Sequence, residues 1–113
     1  MEKLEEYILD DIRKWKEEIS AEIKRIDMEI EEKKKKIEIN EIKMNIVEHS
    51  ADKLGYAKVV RDTHWETYGK PLLEENENLS NEINLSVNTD LFYQKRSLTS
   101  LDASLTEFFK RNE

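Results

Sequence analysis

Cysteine is absent from this chain of 113 residues, proline occurs once and glycine twice. Without cysteine there are no disulfides and no thiolate chemistry, which fits a cytosolic origin. Two glycines cannot build a phosphate-cradling loop, and a single proline leaves long stretches free to run as unbroken helix. Histidine is scarce as well. His49 and His64 each lack a second His or Cys at a ligand spacing, and His49 with Asp52 offers only two ligands, so neither metal nor cofactor is expected. Ser20, Ser50 and Ser86 stand in no nucleophile motif. No apolar run approaches membrane-spanning length, and Met1-Glu2-Lys3-Leu4-Glu5-Glu6 lacks the basic-then-apolar layout of a signal peptide. The expectation is a cytoplasmic protein that does not insert in membranes and that does not leave the cell by the general signal-peptide route.

What the chain has in abundance is charge. Charged residues make up 40% and apolar ones 37%, with a net charge of −7, a balance that suits solvent-exposed helices and disfavours phosphate backbones as partners. The run Lys33 to Lys36 is the one basic cluster. Glu29, Glu31, Glu32 and Glu38 lie within three or four residues of it, which makes it a solvated, salt-laced helix face rather than a nucleic-acid site.

The dominant pattern runs from Leu9 to Leu54. One heptad position reads Leu9, Lys16, Ile23, Ile30, Ile37, Met44, Ala51, and the other Ile12, Ile19, Ile26, Lys33, Asn40, Val47, Leu54. Eleven of these fourteen positions are apolar, and a 3.5-residue period held that long means a helix laying a narrow seam on another helix. At 1.5 Å per residue this helix would be roughly 70 Å long. Leu4, Ile8 and Trp15 widen the stripe at its start, and Lys33 can lay its stem on apolar surface while its ammonium reaches water. Asn40 on the seam either fixes register by demanding a polar mate or marks a wet stretch, and the sequence leaves both open.

A second apolar stripe breaks the simple picture. Ile39, Ile42 and Ile46 are spaced three and four apart and lie off the seam. One returning helix covers one face, so this stripe needs another cover: more of this chain, a second copy, or a different protein.

Gly55 is placed to end helix one in a left-handed turn. Residues 55–70 form a connection longer than most helix–helix loops, with Trp65 and Tyr68 set in it and capping-box spacing between Thr63 and Glu66. Pro71 suits the first position of a second helix. That helix steps by four through Leu79, Ile83, Val87 and Leu91. It then runs in heptads through Gln94, Leu101 and Phe108, interleaved with Leu91, Leu98 and Leu105. It is rich in Asn, Ser and Thr, indifferent helix formers, and residues 76–90 are its weakest stretch. Phe92, Tyr93, Phe108 and Phe109 make its C-terminal half aromatic. The reading is all-α: one domain, an elongated antiparallel hairpin with coiled-coil-like packing, helix one about 2–54, connection 55–70 and helix two about 71–110. Its carboxylates sit on exposed faces and a thin hairpin encloses no pocket, so no enzyme is expected.

Two long helices, an acidic chain of this size and a Trp-containing turn resemble the small helical-hairpin proteins of bacterial type VII secretion, the WXG superfamily. Those proteins mark the turn with Trp and Gly two apart; here Trp65-Glu66-Thr67-Tyr68-Gly69 has three residues between. The stretch Asp90-Leu91-Phe92-Tyr93-Gln94-Lys95-Arg96 is similar to the second helix of the small partners encoded with LXG-type toxins. The resemblance implies a targeting adaptor that binds the toxin's helical N-terminal domain, alone or with a second small helical protein, and helps its export. It also implies an export signal of an aromatic followed four residues later by an acid, a spacing met by Phe109 with Glu113 and by Tyr7 with Asp11. The partner-binding set expected on this basis is Ile39, Ile42, Ile46, Trp65, Tyr68, Phe92, Tyr93 and Phe108. The alternative reading is a self-associating coiled-coil protein, a homo-oligomer with a structural or regulatory role, of phage or mobile-element origin.

Overall fold

The computed structural model describes residues 4–84 and 90–112. Every regular element among them is helical. Helix α1 runs without a break over Glu6–Ser50, and a 3-10 turn, Ala51–Leu54, carries the chain to Gly55. Helix α2 spans Lys58–His64. A π-helical turn, Trp65–Gly69, joins it directly to α3, Lys70–Glu82. Helix α4 covers Asp90–Asn112. Where the pattern predicts a single second helix over 71–110, α3 thus stops at Glu82: Ile83 leaves helical geometry at φ −99° and ψ 5°. Ser80, Asn81 and Asn84 surround that end, and their side chains compete with the helix for backbone hydrogen bonds. Val87 lies outside the described residues.

The chain divides into two compact units, one of residues 4–29 with 90–112 and one of residues 30–84. In the first, α4 runs antiparallel to the early part of α1. Arg13 lies over the Phe109 ring at 5.6 Å from its centroid, Lys16 pairs with Asp102 at 2.9 Å, and Asp27 pairs with Lys95 at 2.6 Å, so rising numbers on α1 meet falling numbers on α4. Leu9, Ile19, Ile26, Leu91, Leu105 and Phe109 are its buried apolar residues.

The seam of α1 is where its heptads place it: of the fourteen positions only Leu54 is exposed. The seam of α4 is half different. Leu91, Leu98 and Leu105 face inward as expected. Their heptad companions are Lys95, Asp102 and Phe109, while Gln94 and Leu101 are exposed and Phe108 is half-buried. Two of the three inward companions are charged and become admissible because Asp27 and Lys16 stand opposite them; the lysine stems pack while the charges pair at the rim. The hydroxyls of Thr99 and Thr106 turn back on the Lys95 and Asp102 carbonyls, so these poor helix formers spend their hydrogen-bonding capacity within α4.

In the second unit α3 returns along the later part of α1, again antiparallel: Lys33 pairs with Glu82, Lys36 lies 3.8 Å from Glu75, and Asn40 meets Asn76. Asn40 is wholly buried and Asn76 nearly so. The Asn40 amide donates to Asn76 Oδ1 at 2.8 Å and to Glu75 at 3.2 Å, and the Asn76 amide donates to the Ile37 carbonyl at 3.2 Å. The seam is therefore dry at Asn40, and the polar residue has its mate. That mate extends the inward row Asn76, Leu79, Ile83 back to Leu72.

The pair is specific rather than optimal, because Asn40 Oδ1 is buried without a hydrogen-bond partner. Replacing Asn40 by Leu strands the buried Asn76 acceptor and should lower unfolding free energy by about 1–3 kcal/mol. The double variant Asn40→Leu with Asn76→Leu should recover that loss, since two apolar side chains leave nothing unsatisfied. Urea denaturation followed by helix content measures both, and an unaffected single variant would show that the pair does not constrain this unit.

Candidate docking face

Asn40 points into the α1–α3 seam, and 100° per residue then places Ile39, Ile46 and Ile42 roughly 100° to 160° around the same side of α1. The structure leaves all three open, at 48% exposure for Ile39, 56% for Ile42 and 62% for Ile46. Branched apolar side chains three and four apart on a rigid helix make a preformed ridge, ready to enter the groove of another helix without reordering. Polar residues border the ridge: Lys36 and Lys43 on the side toward α3, Glu31 and Glu38 on the far side. The lysine run has its carboxylates, with Lys34 beside Glu31 at 3.7 Å in addition to the pairs of Lys33 and Lys36.

The tip of the same unit is built around a glycine contact. Gly69 is buried, and a Cβ on it would run into the six-membered ring of Trp65. Trp65 and Gly69 are four apart on the π turn, and a Cβ at 69 would tilt back toward the N-terminus into the indole, which is half-buried there. The wide turn also gives room to Pro71, which has no N–H to donate and whose ring crowds the preceding turn of an ordinary helix. The Trp–Gly pair thus sits inside a helix that starts at Lys58, and Thr63 and Glu66 are interior to that helix rather than a capping box.

Gly55 has positive φ, but at φ 80° and ψ −159° it is extended rather than in the left-handed helical turn its place predicts, and that region is open in practice to glycine alone. Arg61 then reaches back to the carbonyls of Ala51 and Gly55 and to Asp52, a cation bonded to the orphan acceptors where α1 ends. His64 closes the other side. Ser50 Oγ donates its one proton to the Val47 carbonyl at 2.7 Å, so at 2.7 Å from His64 Nε2 it accepts, and that imidazole nitrogen carries hydrogen. The hydroxyl is consequently not poised as a nucleophile toward this histidine. Among the described residues no group of three or more His, Cys, Asp or Glu could hold a metal ion.

The remaining sequence-predicted contacts are dispersed. Tyr68 is 60% exposed and tilts against His64 with ring centroids 5.4 Å apart. It shares the unit of residues 30–84 with the isoleucine ridge and Trp65; Phe92, Tyr93 and Phe108 belong to the other unit. There Phe92 is half-buried, edge-to-face with the exposed Tyr93 at 5.4 Å and with Arg96 at 5.9 Å above its ring. Phe108 is half-buried against Phe109, which is itself buried, and Glu113 lies outside the described residues. Tyr7 and, four residues on, Asp11 are both exposed on α1. Arg25, on the exposed surface of α1, is held above the usual guanidinium range by its hydrogen bond to Glu22 and that residue's charge, with Glu29 adding to both.

Sequence reasoning missed the open apolar residues of the connection. Tyr56 is fully exposed, and Val59 and Val60 stand open on the short α2. The signal was the Val59–Val60 doublet, since neighbours on a helix point about 100° apart and a two-turn helix buries one of them at best.

Gly69→Ala should force the Trp65 ring off its seat and lower unfolding free energy by about 1–3 kcal/mol. Tryptophan emission should shift, and Trp15→Phe removes the other indole so that the signal reports Trp65 alone. Unchanged emission and stability would mean the ring does not need the glycine.

Compared with known protein families, curated proteins and solved structures, the chain shows no significant match to any of them.

Proposed function

We propose that this chain is a non-enzymatic helical adaptor: a targeting partner that binds the helical N-terminal domain of a type VII-secreted, LXG-like toxin and helps its export. The observation that carries the reading is the open isoleucine ridge of α1. Half-exposed isoleucines at 39, 42 and 46 bury little against their own chain, and apolar residues grouped at helical spacing mark a contact site more often than isolated ones do. The reading treats the chain as a helical hairpin with coiled-coil-like packing, and the antiparallel pairing inside each unit supports it. A client helix laid along the ridge would complete a three-helix arrangement with α1 and α3. Tyr68 and the half-buried Trp65 would extend that contact at the tip, and Phe92, Tyr93 and Phe108 would offer a second one.

No helix among the described residues is long and apolar enough to cross a membrane. In this reading the protein meets its client in the cytoplasm, and any export follows the type VII route without a cleavable signal peptide. The resemblance carried by Trp65, Gly69 and Asp90-Leu91-Phe92-Tyr93-Gln94-Lys95-Arg96 supplies the client's class.

The test is co-purification with the N-terminal domain of an LXG toxin encoded beside this gene. Ile42→Asp places a carboxylate in the middle of the ridge. It should leave helix content intact and weaken the complex by roughly 100-fold or more, because the charge would have to be buried unpaired. Retained binding would remove the ridge from the interface, and no capture of the domain by the native protein would overturn the reading.

A further inference from the structure

The residues that flank the ridge indicate what covers it when no client is present. With Ile39 and Ile46 at heptad position a and Ile42 at d, the g positions are Glu31, Glu38 and Asn45, and the e positions are Lys36, Lys43 and Ser50. In a parallel, in-register pair each g residue meets the e residue five positions later in the other copy. Glu31 then meets Lys36 and Glu38 meets Lys43, each twice by symmetry. In an antiparallel pair e faces e and g faces g, which sets lysines against lysines and glutamates against glutamates. The charge pattern is self-complementary in one orientation only. Glu38 and Lys43 are exposed, and neither has an ion-pair partner among the described residues. The α3 side of α1 lies roughly a third of a turn from the ridge, so a second helix can approach without meeting α3.

We propose that in the free protein the ridge is covered by a second copy of this chain, α1 against α1 through Ile39, Ile42 and Ile46, parallel and in register. Ile39 and Ile46 at a suit a two-stranded pair while Ile42 at d favours a third strand, so the mass of the assembly decides between them. Lys35 and His49 take the next d positions on either side, so the apolar contact is confined to three residues per copy. Such a short contact falls below the roughly 1,200 Å² of a stable interface. The pair is weak and exchangeable, and it keeps the ridge from nonspecific contacts until a client helix with a longer seam displaces it. The pairing deepens the adaptor reading through the same face, but rests on the openness of that face and not on the client's identity.

The absence of cysteine makes a direct test possible. Ile39→Cys and Ile46→Cys are each oxidised mildly at about 100 µM, where a weak pair is populated and two in-register cysteines come within disulfide reach. Each variant should cross-link to itself. In an antiparallel pair a meets d, so cross-linking only when Ile39→Cys or Ile46→Cys is mixed with Ile42→Cys would mean that orientation, and none at all would mean no contact here; either result overturns the proposal. Glu38→Lys and Lys43→Glu, each alone, should weaken self-association roughly tenfold in sedimentation equilibrium, and an equimolar mixture should restore it. Indifference to both charges, or a mass of three copies, would also overturn it. A monomer that still captures the toxin domain sinks this pairing and leaves the adaptor reading standing. A cross-linked pair that never captures the domain does the reverse.

Discussion

Everything else in residues 30–84 depends on the meeting of Asn40 with Asn76. Two amides buried in the middle of an otherwise greasy seam can be satisfied in one register, and sliding α3 by a turn along α1 would bury both without partners. The stranded Oδ1 of Asn40 shows what this specificity costs: the seam is less stable than an all-apolar one and far less tolerant of misalignment. In the other unit the same task falls to charges. Lys16 with Asp102 and Lys95 with Asp27 follow the contact of Arg13 with Phe109 along α1 and set α4 against it. Each such pair is half-exposed and contributes little stability alone. Their value lies in choosing one alignment among the several that the leucines and isoleucines alone would accept.

The tip solves a different problem, that of reversing a long helix without a flexible loop. Gly55 takes a backbone conformation closed to other residues, and Arg61 satisfies the carbonyls left open there. The returning helix then opens by one residue per turn at Trp65–Gly69, where an indole needs a glycine to lie on and a proline needs space ahead of it. Two residues that break regular helices elsewhere are thereby accommodated together, Gly69 in the π turn and Pro71 just after it. The reversal is built of helix from Lys58 to Glu82, which keeps Tyr68 and Trp65 on a rigid support.

With the reversal built and both registers specified by polar contacts, the isoleucine ridge is left over. It is not required for the pairing of α1 with α3, because that contact is made from the opposite quarter of the helix by Lys33, Ile37, Asn40, Met44 and Val47. A β-branched residue favours neither the exposed surface nor the helix as such. Three of them at contact spacing are the basis of the proposed association, and the alternation of Glu31, Lys36, Glu38 and Lys43 around them is the basis of its proposed direction.

Sequence alone determined that the chain is helical, that its first helix is long and unbroken, that its seam includes Lys16, Lys33 and Asn40, and that Ile39, Ile42 and Ile46 fall off that seam. All of this follows from periodicity along one continuous helix, where each residue's direction is set by counting from its neighbours. The tertiary structure decided what counting within one helix cannot reach. It paired Asn40 with Asn76, turned Lys95, Asp102 and Phe109 inward in place of Gln94, Leu101 and Phe108, ended α3 at Glu82, and folded the Trp65–Gly69 pair into a π turn. The first two depend on which residue stands opposite, and the last two on how neighbouring side chains crowd the backbone or compete for its hydrogen bonds. A lysine or an asparagine reads as surface by itself and becomes interior only when the other helix brings the aspartate or amide that completes it.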